Sequence, residues 1–198
     1  GSLSLFALNN LNHSLAGVPM DPNVVNNSSN SLFVIIFAPL LGLLWVWMSK
    51  RKLEPNSVLK FGIGFLLLGL GFYVFYSTVG FATPDGMTSL EIFTIAYFVL
   101  TFAELCVSPI GLSLMTKLSP NRMQGLMMGM WFLASGYGQY VAGLLGKGMS
   151  VPGTEATTIE KLIAFTSGYK QLAIYAVIAG AALLLLAPLV RRLMGGVK

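Results

Sequence analysis

The chain has 198 residues, of which 55% are hydrophobic and only 10% are charged. A soluble domain carries about 25% charged residues, so the shortage argues against a soluble globular domain, a disordered tail or a nucleic-acid binder. The net charge of +5 has to be placed against a membrane before it is read as a basic patch, and one cysteine, Cys106, with one histidine, His13, builds neither an internal disulfide nor a metal site.

In chain order, the segment Gly1–Leu15 is too short and too polar at its end (Asn9, Asn10, Asn12, His13) for a whole membrane span. It lacks an initiator Met and a basic n-region, which excludes a signal peptide. It reads as the second half of a helix that begins upstream, and the chain as a piece cut inside a span. Five stretches then approach the roughly 20 apolar residues that cross a bilayer as a helix: Ser31–Met48, Leu59–Ala82, Leu90–Met115, Leu126–Leu145 and Leu172–Val190. Thr158–Thr166 is expected as a short interfacial helix with Ile159, Leu162, Ile163 and Phe165 toward the membrane. Gly125 with Gly129, and Ala176 with Gly180, are spaced for close helix crossings.

The connections carry the orientation. Lys50, Arg51, Lys52, Lys60, Lys117, Arg122, Arg191, Arg192 and Lys198 fall on one side, nine of the twelve basic residues, and Lys147, Lys161 and Lys170 on the other. Asp21, Asp85, Glu91, Glu155 and Glu160 show the opposite skew. The positive-inside rule then makes the first side, and the C-terminus, cytoplasmic. Trp45 and Trp47 fit an interfacial belt at that side.

Glu104 is the residue least at home in lipid. It lies midway along Leu90–Met115, where a carboxylate costs about 2.5–3.5 kcal/mol on insertion scales. Two readings are open: a substrate or ion site facing a cavity, or a protonated acid bonding to a neighbouring helix. Ser108 shares its face one turn on, and Pro109 is expected to kink the helix, as a hinge would. The run Asn26–Ser31 reads by composition as an external loop, and alternatively as a helix starting near Pro22 that shows polar groups to a cavity. Trp131 and Tyr137 read first as packing. No phosphate-cradling glycine loop, metal cluster or nucleophile–base pair is visible, which leaves a transporter-like bundle with one acid near the midplane and no enzyme.

These residues also carry a family resemblance. Glu104-Leu105, Ser108-Pro109-Ile110-Gly111-Leu112-Ser113 and Trp131-Phe132-Leu133, within Phe102–Gly143, resemble the tenth and eleventh helices of the proton-dependent oligopeptide transporters, a branch of the major facilitator superfamily. Asn30–Leu40 is similar to the eighth helix, Pro55–Phe72 to the ninth and Gly1–Leu11 to the seventh. The resemblance implies an all-α membrane protein, with residues 1–198 forming the C-terminal six-helix bundle of a major facilitator fold: five complete spans plus a partial first one. It also implies that the N-terminal six helices, with the proton-coupling motif, are absent from this chain.

The implied activity is proton-coupled import of di- and tripeptides by alternating access across a bacterial inner membrane. The implied partners are the peptide, protons, the lipid bilayer and the N-terminal half, with no nucleic acid, no metal, and no cofactor beyond the proton as coupling ion. By the same resemblance Glu104, Ser108 and Asn30 engage the peptide amino terminus, Trp131 lines a side-chain pocket, and Ser135 touches ligand. Leu112 and Met128 close a gate that pivots near Pro109. Asn27 stands where many members have glutamine, and Gln139 where many have asparagine. A related facilitator for nitrate or a conjugate, and a non-transporting scaffold half, remain as alternatives.

Overall fold

The computed structural model describes residues 2–149 and 156–193; Gly1, Glu155 and Lys198, counted above, lie outside them. The described chain is almost wholly helical: α1 (Ser2–Asn10), a two-stranded hairpin β1 (Ser14–Leu15) and β2 (Val18–Pro19), then α2 (Pro22–Lys50), α3 (Ser57–Ser77), α4 (Leu90–Leu118), α5 (Gln124–Met149) and α6 (Thr158–Leu193). Short 3-10 turns follow α3 and precede α5.

Each helix end has a local cause. Asp21 caps α2 by accepting from the Asn23 amide, and Pro22 follows at N1, where a missing N–H is harmless. At the other end of α2 the Leu53 amide reaches the Met48 carbonyl and the Lys52 amide reaches Ser49. That is a Schellman stop with Lys52 in the left-handed position at φ 58°. Asn56 caps α3 and Ser89 caps α4 through their side chains. The hairpin turns at Ala16 and Gly17, both at positive φ, the backbone that a two-residue primed turn requires.

α2 begins at Pro22, which decides between the two readings of Asn26–Ser31: the run is helix, as the alternative starting near Pro22 has it, and not the external loop that composition favours. Hydropathy marks depth in lipid, whereas hydrogen bonding lets a helix run on into polar surroundings. For the same reason Thr158–Thr166 is not a separate interfacial helix but the first turns of the 36-residue α6. There Leu162 and Phe165 enter the core, while Ile159 and Ile163 stay exposed. Among the described residues four helices are long and apolar enough to cross a bilayer: Pro22–Lys50, Ser57–Phe81, Leu90–Leu118 and Thr158–Val190. α5 has the length, but its glycines, Gln139 and tyrosines make it less apolar than these four.

The helices pack up and down around α3. Its glycines fall seven apart on two faces. An added Cβ at Gly62 or Gly69 would lie 2.6 Å from Leu184 or Val177 of α6, and one at Gly64 or Gly71 would lie 2.5 or 2.8 Å from Val107 or Leu100 of α4. Backbones approach closely because no side chain intervenes, which is how helices associate without a hydrophobic drive between them. Gly180 of α6 meets α3 in the same way, 3.0 Å from the Leu66 amide, whereas Gly125 and Gly129 have nothing within 4 Å and make no crossing in this chain.

The core sits at the hairpin end. Phe6, Phe75, Phe93, Phe165 and Tyr169 are buried together, with Phe6 edge-on to Phe165 and Tyr169 at 5.8 and 5.6 Å. Asn10 ties this end: its side-chain amide donates to the carbonyls of Gly86 and Thr158, joining α1, the α3–α4 loop and α6. At the opposite, basic end Lys60 lies 4.5 Å over Trp45 and Arg51 4.6 Å over Trp47, so both tryptophans hold cations at that end of the bundle.

Candidate functional site

α2 and α4 run side by side and share a seam of aromatic and polar rungs. Phe37 packs against Phe98 and Phe102, both at 5.2 Å between ring centres, and Phe33 stands edge-on to Phe98 at 5.5 Å. Two polar rungs accompany these rings, one at Tyr97 and one at Glu104 of α4. In the first, Asn26 accepts from the Tyr97 hydroxyl at 2.6 Å and donates to Ser4 Oγ of α1 at 3.2 Å. In the second, one helical turn further, Asn30 Nδ2 donates to Glu104 Oε2 at 2.8 Å. The spacing of four between Asn26 and Asn30, and of seven between Tyr97 and Glu104, keeps both pairs on facing stripes.

The structure therefore brings together Asn30 and Glu104, two of the residues singled out from sequence. Glu104, at mid-depth along α4, is exposed on an open face of this chain while bonded to the neighbouring helix through Asn30. Ser108, one turn on, is exposed as well, and Pro109 is exposed within an α4 that continues unbroken to Leu118. Such a carboxylate offers several acceptor sites, and one amide donor leaves room for a cation or a second donor.

Trp131 sits in the first half of α5, half-buried, with its six-membered ring against Gly111 of α4, where an added Cβ would overlap the ring. Gly111 is two turns below Glu104, so the indole borders the same open region further toward the basic end. Ser135 donates to the Trp131 carbonyl at 2.9 Å; its proton is committed to its own helix and its oxygen can still accept. Leu112 and Met128 are both half-buried, on α4 and α5. Beyond Trp131, α5 is exposed along almost its entire length.

Sequence reasoning missed the Asn26–Tyr97–Ser4 rung and the role of Gly111. A polar residue one turn before Asn30 on the same stripe was the available signal for the first. For the second there was none, because a glycine's partner is not encoded locally.

Helices that hold an acid, amides and hydroxyls at membrane depth along an open face define the class of helical membrane transporters. The comparisons with known proteins narrow that class. The family model described as PTR2, POT family, matches residues 1–162, and the chain belongs to this family. It is 34% identical to the peptide transporter YePEPT of Yersinia enterocolitica, over 100% of this chain and 37% of that protein. It is 26% identical to dipeptide and tripeptide permease B of Aeromonas hydrophila, over 98% of this chain and 38% of the permease.

Among solved structures, that of peptide transporter POT in complex with sulfate superposes with a TM-score of 0.80 at 30% identity, covering 97% of this chain and 36% of that one. Tetrameric PepTSo2 gives a TM-score of 0.78 at 28% identity, covering 97% and 38%. The chain thus spans well under half the length of these relatives. It is an integral membrane protein with the helical architecture of the major facilitator transporters, and its relatives are transporters, not enzymes.

Proposed function

We propose that this chain is the C-terminal six-helix half of a bacterial, proton-coupled symporter that imports di- and tripeptides by alternating access. The observation that carries the reading is the Asn30–Glu104 pair, 2.8 Å apart on an open face. A peptide ammonium is the cation that would repay exposing a carboxylate at that depth. Glu104 takes the ammonium, Asn30 holds the carboxylate in place, and Ser108 adds a hydroxyl one turn on. Trp131 shapes an adjoining side-chain pocket, with the Ser135 oxygen facing the ligand.

Leu112 and Met128 close the cytoplasmic side when α4 and α5 pivot near Pro109. The N-terminal six helices supply the other wall of the cavity, the contacts to the peptide carboxylate and the proton-coupling residues; the proton is the coupling ion and no further cofactor is needed. The basic end of the bundle and the C-terminus face the cytoplasm, consistent with the positive-inside skew.

Support comes from the relatives, whose names are those of peptide transporters and of dipeptide and tripeptide permeases. The test uses the full-length transporter. Glu104→Gln abolishes gradient-driven uptake of dialanine while expression and thermal stability stay near wild type. Undiminished uptake by that variant contradicts the proposal.

A further inference from the structure

A cavity lies at the basic end, further along α4 than Glu104. It is a cleft of about 760 Å³ between the end of α2, the start of α3 and the second half of α4. Three lysines line it, Lys52, Lys60 and Lys117, with hydroxyls from Ser49, Ser57 and Ser113 and a single acid, Glu54. Lys60 is 7% exposed and already holds Glu54 at 2.5 Å and the Trp45 ring. The Lys60 contact keeps the Glu54 carboxyl below its usual range. Three lysines against one acid leave the cleft with a net positive charge.

Two further features add to that field. The first turn of α3, which carries Ser57, presents the positive end of a helix dipole to the cleft. Lys52 occupies the left-handed stop of α2, a position where glycine is ordinary. In that position Lys52 lines the cleft at the point where α2 ends. Pro109 and Ile110 supply an apolar floor, and the outer side of α2 nearby exposes Leu43, Val46 and Trp47. Cations and hydroxyls over an apolar floor, at the end of membrane helices, match a phosphodiester headgroup whose chains continue along the bundle.

We propose that this cleft binds the phosphate of an anionic lipid headgroup. The inference is independent of what the transporter carries. Its floor is the Pro109 segment, so an occupied cleft braces α2, α3 and α4 against one another next to the residues assigned to the gate.

The test titrates the purified full-length protein in neutral detergent with dioctanoyl phosphatidylglycerol. Dioctanoyl phosphatidylcholine and inorganic phosphate run in parallel. Saturable binding of phosphatidylglycerol is expected, weakened about 30-fold in the Lys52→Gln, Lys117→Gln double variant. The double arginine variant, Lys52→Arg with Lys117→Arg, retains binding and controls for folding. Lys50→Gln removes a charge from the same end without lining the cleft and leaves the affinity unchanged. Non-saturable binding, equal binding of phosphatidylcholine, or equal loss in Lys50→Gln overturns the site. Inorganic phosphate that binds as tightly as the lipid, with the same lysine dependence, overturns the lipid as its source.

Discussion

Glu104 and Asn30 illustrate how a polar pair survives at membrane depth. A carboxylate there is tolerated when it faces a cavity and has a partner, and the 2.8 Å bond from Asn30 supplies that partner from a neighbouring helix. Removing the amide leaves the acid without its positioning donor, and a hydrogen bond to a charged group is worth about 1.5–3 kcal/mol. Asn30→Ala is therefore expected to weaken dialanine binding about 10-fold or more, read by titration of the full-length protein. Affinity equal to wild type would mean that Asn30 does not orient Glu104. Asn10 makes a different point at the same scale. It looked like one more polar residue at a helix end, yet it is fully buried and bonded to two distant carbonyls. A side chain's identity does not say which backbone groups will need it.

Among the elements, α3 determines how closely the bundle can pack. Gly62 and Gly69 admit α6, and Gly64 and Gly71 admit α4. A methyl group at Gly64 would lie 2.5 Å from Val107 Cγ2 and 3.2 Å from the Ala103 carbonyl; the valine can turn but the backbone oxygen cannot. Gly64→Ala is expected to cost about 1–3 kcal/mol through overpacking, seen as a lower midpoint of thermal unfolding. An unchanged or higher midpoint would show that α3 and α4 are not held at this distance. α5 behaves differently: it packs at its two ends, Trp131 against Gly111 of α4 and Met149 against Gly168 of α6, and is exposed over most of the stretch between. Its Gly125–Gly129 spacing resembles a crossing motif, but spacing alone does not place a partner helix.

For the whole molecule, hydropathy made most of the architecture legible. Five long helices and a short opening one follow from the apolar runs. Composition alone misplaces helix ends where polar residues continue a helix past the lipid: it favours a loop before Ser31, against the helix start near Pro22 that is the other reading, and it separates Thr158–Thr166 from the rest of α6. The Asn30–Glu104 contact was legible only in part: lipid makes a carboxylate costly and so singles out Glu104, whereas composition favours a loop for Asn30 and only the resemblance draws the two together. The Asn26–Tyr97–Ser4 rung and the glycine contacts were not legible, since they depend on which helices become neighbours. Orientation is testable directly. Cys106 is buried, so a membrane-impermeant thiol reagent applied to intact cells should label Asp85→Cys and leave Arg122→Cys unlabelled until the membrane is opened. The reverse pattern would invert the topology.

The central claim is that Glu104 receives the amino terminus of the peptide. The most direct measurement is a cycle of four affinities in the full-length transporter: dialanine and N-acetyl-dialanine, each against wild type and Glu104→Gln. Acetylation removes the ammonium and should weaken binding to wild type about 10- to 100-fold, while Glu104→Gln binds the two ligands within about 3-fold of each other. The same acetylation penalty in both proteins would place the ammonium elsewhere.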